Sequence, residues 1–302
     1  MRLTRRLPLL AGLVAAGGWL FHRLTTASGP ASHAGYTIKR FPKVRRLVVD
    51  TVRFGKRQHV MFGLLEVDVT TPRRLIHEHT ARTGEKLSFT AFLIHCLGEA
   101  INRHPEVHAY RNWRDQVLVF DEVDASIIIE IEFEGKKFPL AHVLRGVNRR
   151  SLRCLHDEIR ATQARPERDT SSGMGQAMAV FLRLPWFVRD LVYMVLYRTP
   201  TVWKQMIGSV TVTAIGMMGE GGGWGISHGA YNLALTVGGI STRLTLRDGE
   251  PEAREMLSLT AAFNHDVVDG APATRFMHTY RELVAAGYGL AEAFAAVEDE
   301  AG

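Results

Sequence analysis

The sequence predicts an α+β fold, with helices packed on a single mixed β-sheet in two layers. Three observations carry this expectation. First, 302 residues with 46% hydrophobic and 23% charged side chains suit one large globular domain or two small ones, and exclude disordered, collagen-like and coiled-coil chains. Second, apolar residues recur at helical spacing in some segments and alternate in others. Third, the two kinds of segment interleave unevenly, which fits a mixed sheet better than a doubly wound parallel one.

The first element is a tail. Met1 to Arg6 (MRLTRR) is basic, Leu7 to Phe21 is an apolar run, and a small-residue polar stretch follows, the layout of a targeting or anchoring segment. As a helix the run reaches roughly 22 Å against a hydrocarbon core of about 30 Å, short for a span. Residues 1–35 are therefore set apart as a targeting or anchor segment, with a plain amphiphilic tail as the alternative. Residues 1–60 hold twelve Lys/Arg and a single acid, Asp50, so the net charge of +6 belongs to the N-terminus. That end lacks a nucleic-acid motif, which leaves an anionic lipid surface, or nothing specific, as its partner. The location is either cytoplasmic or at a membrane.

From residue 36 no linker, repeat or low-complexity tract divides the chain, so 36–302 is expected to form one domain. Strands are expected at His59–Val69, Ala125–Phe133, Ser209–Ile215, Asn232–Ile240 and Leu257–Phe263, all rich in β-branched residues. Phe89, Phe92, Leu93, Cys96, Leu97, Ala100 and Ile101 mark a core helix capped by Ser88 and stopped at His104-Pro105. Leu152, Leu155 and Ile159 after Ser151 mark a second helix. Phe276, Tyr280, Leu283 and Val284 mark a third, with Pro272 in its first turn and Gly287 beyond its end. The two cysteines, Cys96 and Cys154, sit inside helical patterns without a CxxC partner and read as small core residues.

Residues 174–207 are apolar for a connection, yet Arg183, Pro185, Arg189, Asp190 and Arg198 interrupt them, which argues against a spanning helix. This helical insertion either lies on a membrane or over a hydrophobic substrate tunnel, or packs on its own domain or a neighbouring subunit.

The chemistry concentrates in SLTAAFNHDVVDGAPATRF (258–276), where an apolar strand runs into His265, followed by Asp269 and Gly270. A histidine at a strand end, in a turn fixed by a carboxylate and a glycine, is how a general base is held toward a cleft. Read without other matches, His265 is a loop histidine and Asp269 a helix cap. His77-x-His79 and His104-x-x-x-His108 have metal-like spacing but nothing completes either set, so no metal is expected. The glycines of 216–225 follow a strand without opening a helix in phosphate-binding register and read as a loop.

Further blocks stand in order: LEVDVTTPRRLI (65–76), KLSFTAFLIHCLGEAINRHPEVHAY (86–110), FPLAHVLRGVNRRSLRCLHDEI (138–159), GSVTVTAIGMMG (208–219) and NLALTVGGI (232–240). With the His265 segment they resemble the 2-oxoacid dehydrogenase acyltransferase family, the dihydrolipoamide acyltransferase catalytic domains, and more distantly chloramphenicol acetyltransferase. The resemblance implies a chloramphenicol acetyltransferase-like two-layer sandwich, and transfer of an acyl group between coenzyme A and a thiol, hydroxyl or amine acceptor. His265 corresponds to the family's general base, which makes the acceptor a nucleophile. Thr213 corresponds to the hydroxyl that stabilises the tetrahedral oxyanion. Asp269 would hold the turn through an ion pair with an early arginine, Arg46, or Arg45 beside it, with Gly270 and Asn264 supporting the site. The family's active sites lie between subunits, so a homotrimer is implied, in which His265 of one chain meets Thr213 of the next.

Two departures qualify the resemblance. The family's usual D-H-R reads Asn264-His265-Asp266, which bears on acceptor recognition. No lipoyl lysine or lipoyl domain is recognisable in this sequence, so the acceptor would come from elsewhere. A catalytically silent trimeric scaffold or membrane-tethered assembly protein is the alternative from another class. A condensation-type or carnitine-type acyltransferase is the alternative within the wider fold. The former usually has a second histidine where Asn264 stands.

Overall fold

A computed structural model describes residues 36–37, 39–42, 45–133, 136–164, 178, 180–215, 221–247 and 249–301. The tail expected at 1–35 and the start of the 174–207 insertion fall outside these residues. The chain divides into two units, Met1–Pro42 and Lys43–Gly302. In the first, the described residues 36–37 and 39–42 are exposed and without regular structure.

The second unit opens with helix α1 (Arg45–Gly55), strand β1 (Val60–Asp68) and helix α2 (Thr70–Thr83). Asp68 stops the strand and starts α2, because its carboxylate accepts both from the Thr70 amide at 2.9 Å and from the Thr70 hydroxyl at 2.6 Å. Helix α3 (Phe89–Arg103) carries the Ser88 cap that its sequence calls for, the hydroxyl accepting from the Ala91 amide. Two short strands, β2 (Tyr110–Arg111) and β3 (Val117–Leu118), pair with each other. Strands β4 (Ala125–Phe133) and β5 (Lys136–Leu144) form a hairpin, and helix α4 (Leu152–Ala164) follows. Then come α5 (Trp186–Tyr197), α6 (Pro200–Ile207), β6 (Val210–Ala214), β7 (Leu233–Arg247), β8 (Glu250–Asn264), α7 (Gly270–Ala286) and α8 (Leu290–Ala301). Among the described residues no helix is long and apolar enough to cross a membrane.

The sheet has the order β1-β8-β7-β6-β4-β5. Strand β6 runs parallel to both β4 and β7, and the remaining pairs are antiparallel. It is therefore the mixed sheet that uneven interleaving implies. Pro139 sits in β5, at the sheet edge, where a missing amide donor costs least. Alternation sets the layers: Val67, Ile127, Val212, Leu235, Leu259 and Phe263 point into one core with Phe92, Leu97, Leu155, Phe276 and Tyr280 from the helices. Each such large side chain contributes roughly 1.5–3 kcal/mol of burial.

A smaller aromatic cluster joins Phe54 of α1, Tyr110, and Trp203 of α6 to the half-buried Tyr193 and Tyr197 of α5. This is how the insertion is held. The buried Arg189 of α5 donates to both carboxylate oxygens of buried Asp50 on α1, at 2.6 and 3.1 Å, and to the Leu184 carbonyl. Of the readings open for 174–207, its described part packs on its own domain along this side.

One expectation is corrected: Cys96 is buried, whereas Cys154 is exposed. It occupies the outward side of α4, next to Ser151, with the Arg150 guanidinium 3.0 Å from its sulfur.

Candidate active site

Strand β8 delivers Asn264 into the interior and ends there, so His265 emerges at the rim with its side chain half exposed. Its backbone amide donates to the His59 carbonyl at 2.7 Å, which ties the turn to the start of β1. The amides of Val267 and Val268 both donate to the Asn264 carbonyl. Asp269 then occupies the cap position of α7 in extended conformation, without a side-chain capping bond. Its carboxylate lies 3.7 Å from Nδ1 of His265. Both groups are solvent-facing, so in the isolated chain this contact orients the ring only weakly. Gly270 is the first helical residue, and a Cβ there would meet nothing.

Asn264 does more than the sequence suggested. Its Nδ2 donates to the Tyr197 hydroxyl at 2.8 Å and to Oδ1 of Asn232 at 2.9 Å, while its own Oδ1 accepts the Asp266 amide at 3.0 Å. Tyr197 donates to Oδ1 of Asn232, and Asn232 donates to the Ala109 carbonyl. Burial pushes the Tyr197 phenol up to about 12, so it stays a neutral donor. A carboxylate at 264 has no proton to give to Asn232, which is the physical reason for an amide at this position. Asp266 faces outward to His59, 2.8 Å away. Tyr197 and Asn232 escaped the sequence reading, since neither belongs to a spacing pattern and only the fold brings them to Asn264.

Thr213 lies on β6, opposite Thr236 of β7, which in turn pairs with Thr260 of β8. Paired positions share a face, so the three threonines form a row on the side away from the helices. His265 is five residues further along β8, about 17 Å by strand rise, and Thr213 lies two strands, about 10 Å, across. The chain therefore does not bring Thr213 and His265 together on its own. Strand β6 is placed by Gly208, whose φ of +90° is open to glycine and where a Cβ would stand 2.7 Å from the Asp124 carbonyl oxygen.

Arg46 does not meet Asp269 within the chain. Its guanidinium donates to the Leu182 carbonyl at 3.2 Å, in the α1–insertion packing, and Arg45 is exposed on the same helix. The expected Arg46–Asp269 pair is thus not made here, because α1 is committed to the insertion.

A cavity of 930 Å³ opens between α2, the start of α3, the end of α4 and the sheet. Ala214, Val237 and Leu257 line its apolar part, and Arg73, Lys86 and Arg160 its basic part. Ala214 directly follows Thr213 and points to the opposite face, so the cavity touches β6 on the side away from the candidate oxyanion donor. Segment 221–225 of the Gly-rich loop packs on the β7 bulge at Gly238–Gly239, where the Gly239 amide donates to the Gly223 carbonyl. Residues 216–220 lie outside the described residues.

Three of the four histidines with metal-like spacing are otherwise engaged: His79 with Glu85, His104 with Thr279, and His108 with Ser209 and the Phe120 carbonyl; His77 lines the cavity. Among the described residues no group of three or more His, Cys, Asp or Glu is arranged to hold a metal ion.

Residues 203–290 match the family model of the 2-oxoacid dehydrogenases acyltransferase (catalytic domain). The chain is 25% identical over 270 residues to the dihydrolipoyllysine-residue acetyltransferase component of the Bacillus subtilis pyruvate dehydrogenase complex, covering 85% of this chain and 52% of that protein. It thus spans about half the length of the curated relatives it matches. In three dimensions it is similar to a probable dihydrolipoamide acetyltransferase from Listeria monocytogenes, with a TM-score of 0.64, 19% identity, and 84% of this chain and 97% of the other covered. It is also similar to a truncated catalytic core of the 2-oxoacid dehydrogenase multienzyme complex from Thermoplasma acidophilum, with a TM-score of 0.60, 19% identity, and 84% and 100% covered. Residues 203–290 are thus similar in sequence to the 2-oxoacid dehydrogenase acyltransferase catalytic domain, and most of the chain shares the fold of such domains.

Proposed function

We propose that the protein transfers an acyl group between coenzyme A and a thiol, hydroxyl or amine acceptor, at sites formed between copies of the chain. The observation that carries the reading is the sheet register. It fixes His265 at a strand rim and Thr213 in mid-sheet on the uncovered face, too far apart to act together unless a neighbouring copy supplies one of them. In a cyclic homotrimer, His265 of one chain takes the proton of the acceptor, and the freed nucleophile attacks the thioester carbonyl. Thr213 of the neighbour donates a hydrogen bond to the oxygen as it becomes negative. Collapse of the tetrahedral centre then expels the CoA thiolate, which His265 reprotonates, so no net proton is consumed.

Asn264 and its partners Tyr197 and Asn232 position the turn that carries His265; none need touch the substrate. Asp269 stands 3.7 Å from Nδ1 and biases the ring weakly, with Nε2 left for the acceptor. The 930 Å³ cavity lies on the helix side of the sheet, the face opposite Thr213, so the reacting thioester belongs at the inter-chain site and not in this cavity. No step calls for a metal or for a lipoyl group carried on this chain.

The test is thiol release from a panel of acyl-CoAs, with dihydrolipoamide and small alcohols and amines as acceptors. His265→Ala should lower turnover by about 10²–10⁴-fold, and Thr213→Ala by about 10²–10³-fold. Thiol release unchanged by either substitution would contradict the assignment. Silence across the panel from a folded trimer would favour the scaffold reading instead.

A further inference from the structure

The described part of the insertion shows an unpartnered face that the proposed reaction does not use. Phe187, Leu191, Met194 and Val195 stand at i, i+4, i+7 and i+8 of α5, with Trp186 beside them, and all five are between 41% and 58% exposed. The other side of α5 is fixed by the Arg189–Asp50 pair and by the hydrogen bond between Tyr193 and Thr51, so the stripe is held outward. Helix α1 extends the face. The Arg53 guanidinium lies over the Trp186 ring, 5.1 Å from its centre. One turn back on the same side of α1 comes Val49, 41% exposed, and a further turn back come Arg45 and Arg46.

The charge is of one sign. Each of these two helices has a single acid, and both are neutralised: Asp50 by Arg189, and Asp190 by Arg57 at 2.8 Å. Arg53 lies at the stripe, and Arg45, Arg46 and, just before α5, Arg183 add exposed positive charge to the two helices. The sequence leading into α1 adds a basic and apolar stretch, Met1 to Phe21.

We propose that α1 and α5 form a face that lies on an anionic phospholipid surface, with the apolar stripe at the acyl boundary and the arginines among the phosphates. A Trp- and Phe-bearing stripe rimmed by arginine has the chemistry of an interfacial helix pair. It is not that of a spanning segment, since no described helix is long enough to cross. The inference rests on the helix pair and is independent of the acyltransfer reading.

Flotation of the full-length protein with phosphatidylcholine vesicles, with and without phosphatidylglycerol, tests it, alongside hydrogen exchange across residues 183–197. Expected are flotation with the anionic vesicles, reduced at least about tenfold without phosphatidylglycerol or in about 0.5 M salt, and slower exchange of 183–197 on those vesicles. The double variant Phe187→Glu, Leu191→Glu, with its circular dichroism unchanged, should float about tenfold less. Flotation without change in exchange at 183–197, insensitive to that variant, would overturn the proposal and leave the N-terminal stretch as the only anchor. Absence of flotation would also overturn it. Slow exchange of 183–197 without vesicles, lost on dilution to monomers, would assign the face to a second copy of the chain.

Discussion

At the residue scale, the network around Asn264 explains why an amide stands beside His265. Asn264→Asp replaces the donor facing Asn232 with an acceptor, and burial raises the new carboxyl's pKa. Its stabilising protonated form is therefore lost as pH rises through that value. Urea unfolding should show the variant weaker than wild type by about 2–3 kcal/mol at pH 7, with the gap narrowing at pH 5. A gap independent of pH would mean that the substitution acts by packing alone. His108 titrates in the opposite sense. Burial lowers its pKa to about 4, and it is held neutral between Ser209 and the Phe120 carbonyl. Unfolded histidine binds a proton near pH 6.5, so stability from this group is present above that pH and is lost as pH falls toward 4. About 2 kcal/mol should disappear between pH 7 and 5, and His108→Gln should flatten that part of the profile in urea titrations.

Elements differed in how legible they were. Helices α3, α4 and α7 follow from their own periodicity and caps, since Ser88, Ser151 and Gly287 act locally: Gly287 takes the left-handed conformation at φ +70° and Ser151 accepts the Cys154 amide. The long hairpin of β7 and β8 extends to Arg247 and Glu250, beyond the expected strands, because its outer half is exposed, Leu244 and Leu246 included, and carries no burial pattern. Helix α1 was not legible for a related reason. Its RRLVVDTVRFG sequence makes sense only once Arg189 supplies the partner that lets Asp50 be buried. Removing that partner is costly: Asp50→Ala leaves Arg189 buried and unpaired and should lower stability by about 3–5 kcal/mol. The apolar pair Asp50→Leu, Arg189→Met should restore most of it in thermal melts. Equal losses in the single and double variants would mean that the pair does more than neutralise itself.

At the scale of the whole molecule, the turn that carries the candidate base His265 was legible because it is contiguous in sequence. Thr213, the candidate oxyanion donor, was reached only through resemblance, and the Arg46–Asp269 pair expected on the same ground is not made in one chain. Both facts point to what a single chain lacks. Thr213 sits on the sheet face that the helices leave uncovered, a face where Leu64 and Ile128 are each half exposed, and a second copy there would both bury that face and complete the site. Dissociation to monomers should therefore abolish transfer while leaving the fold intact, a combination visible by sedimentation and circular dichroism alongside the thiol assay.

The most direct test mixes two inactive chains. His265→Ala and Thr213→Ala subunits are unfolded together, refolded as hybrids, and assayed for acyl transfer against each parent alone. If each site takes its base from one chain and its oxyanion donor from the next, random hybrids regain about a quarter of the wild-type sites, since some interfaces pair the intact His265 with the intact Thr213. Hybrids no more active than either parent, while wild-type subunits refolded in the same way recover full activity, would contradict a shared site.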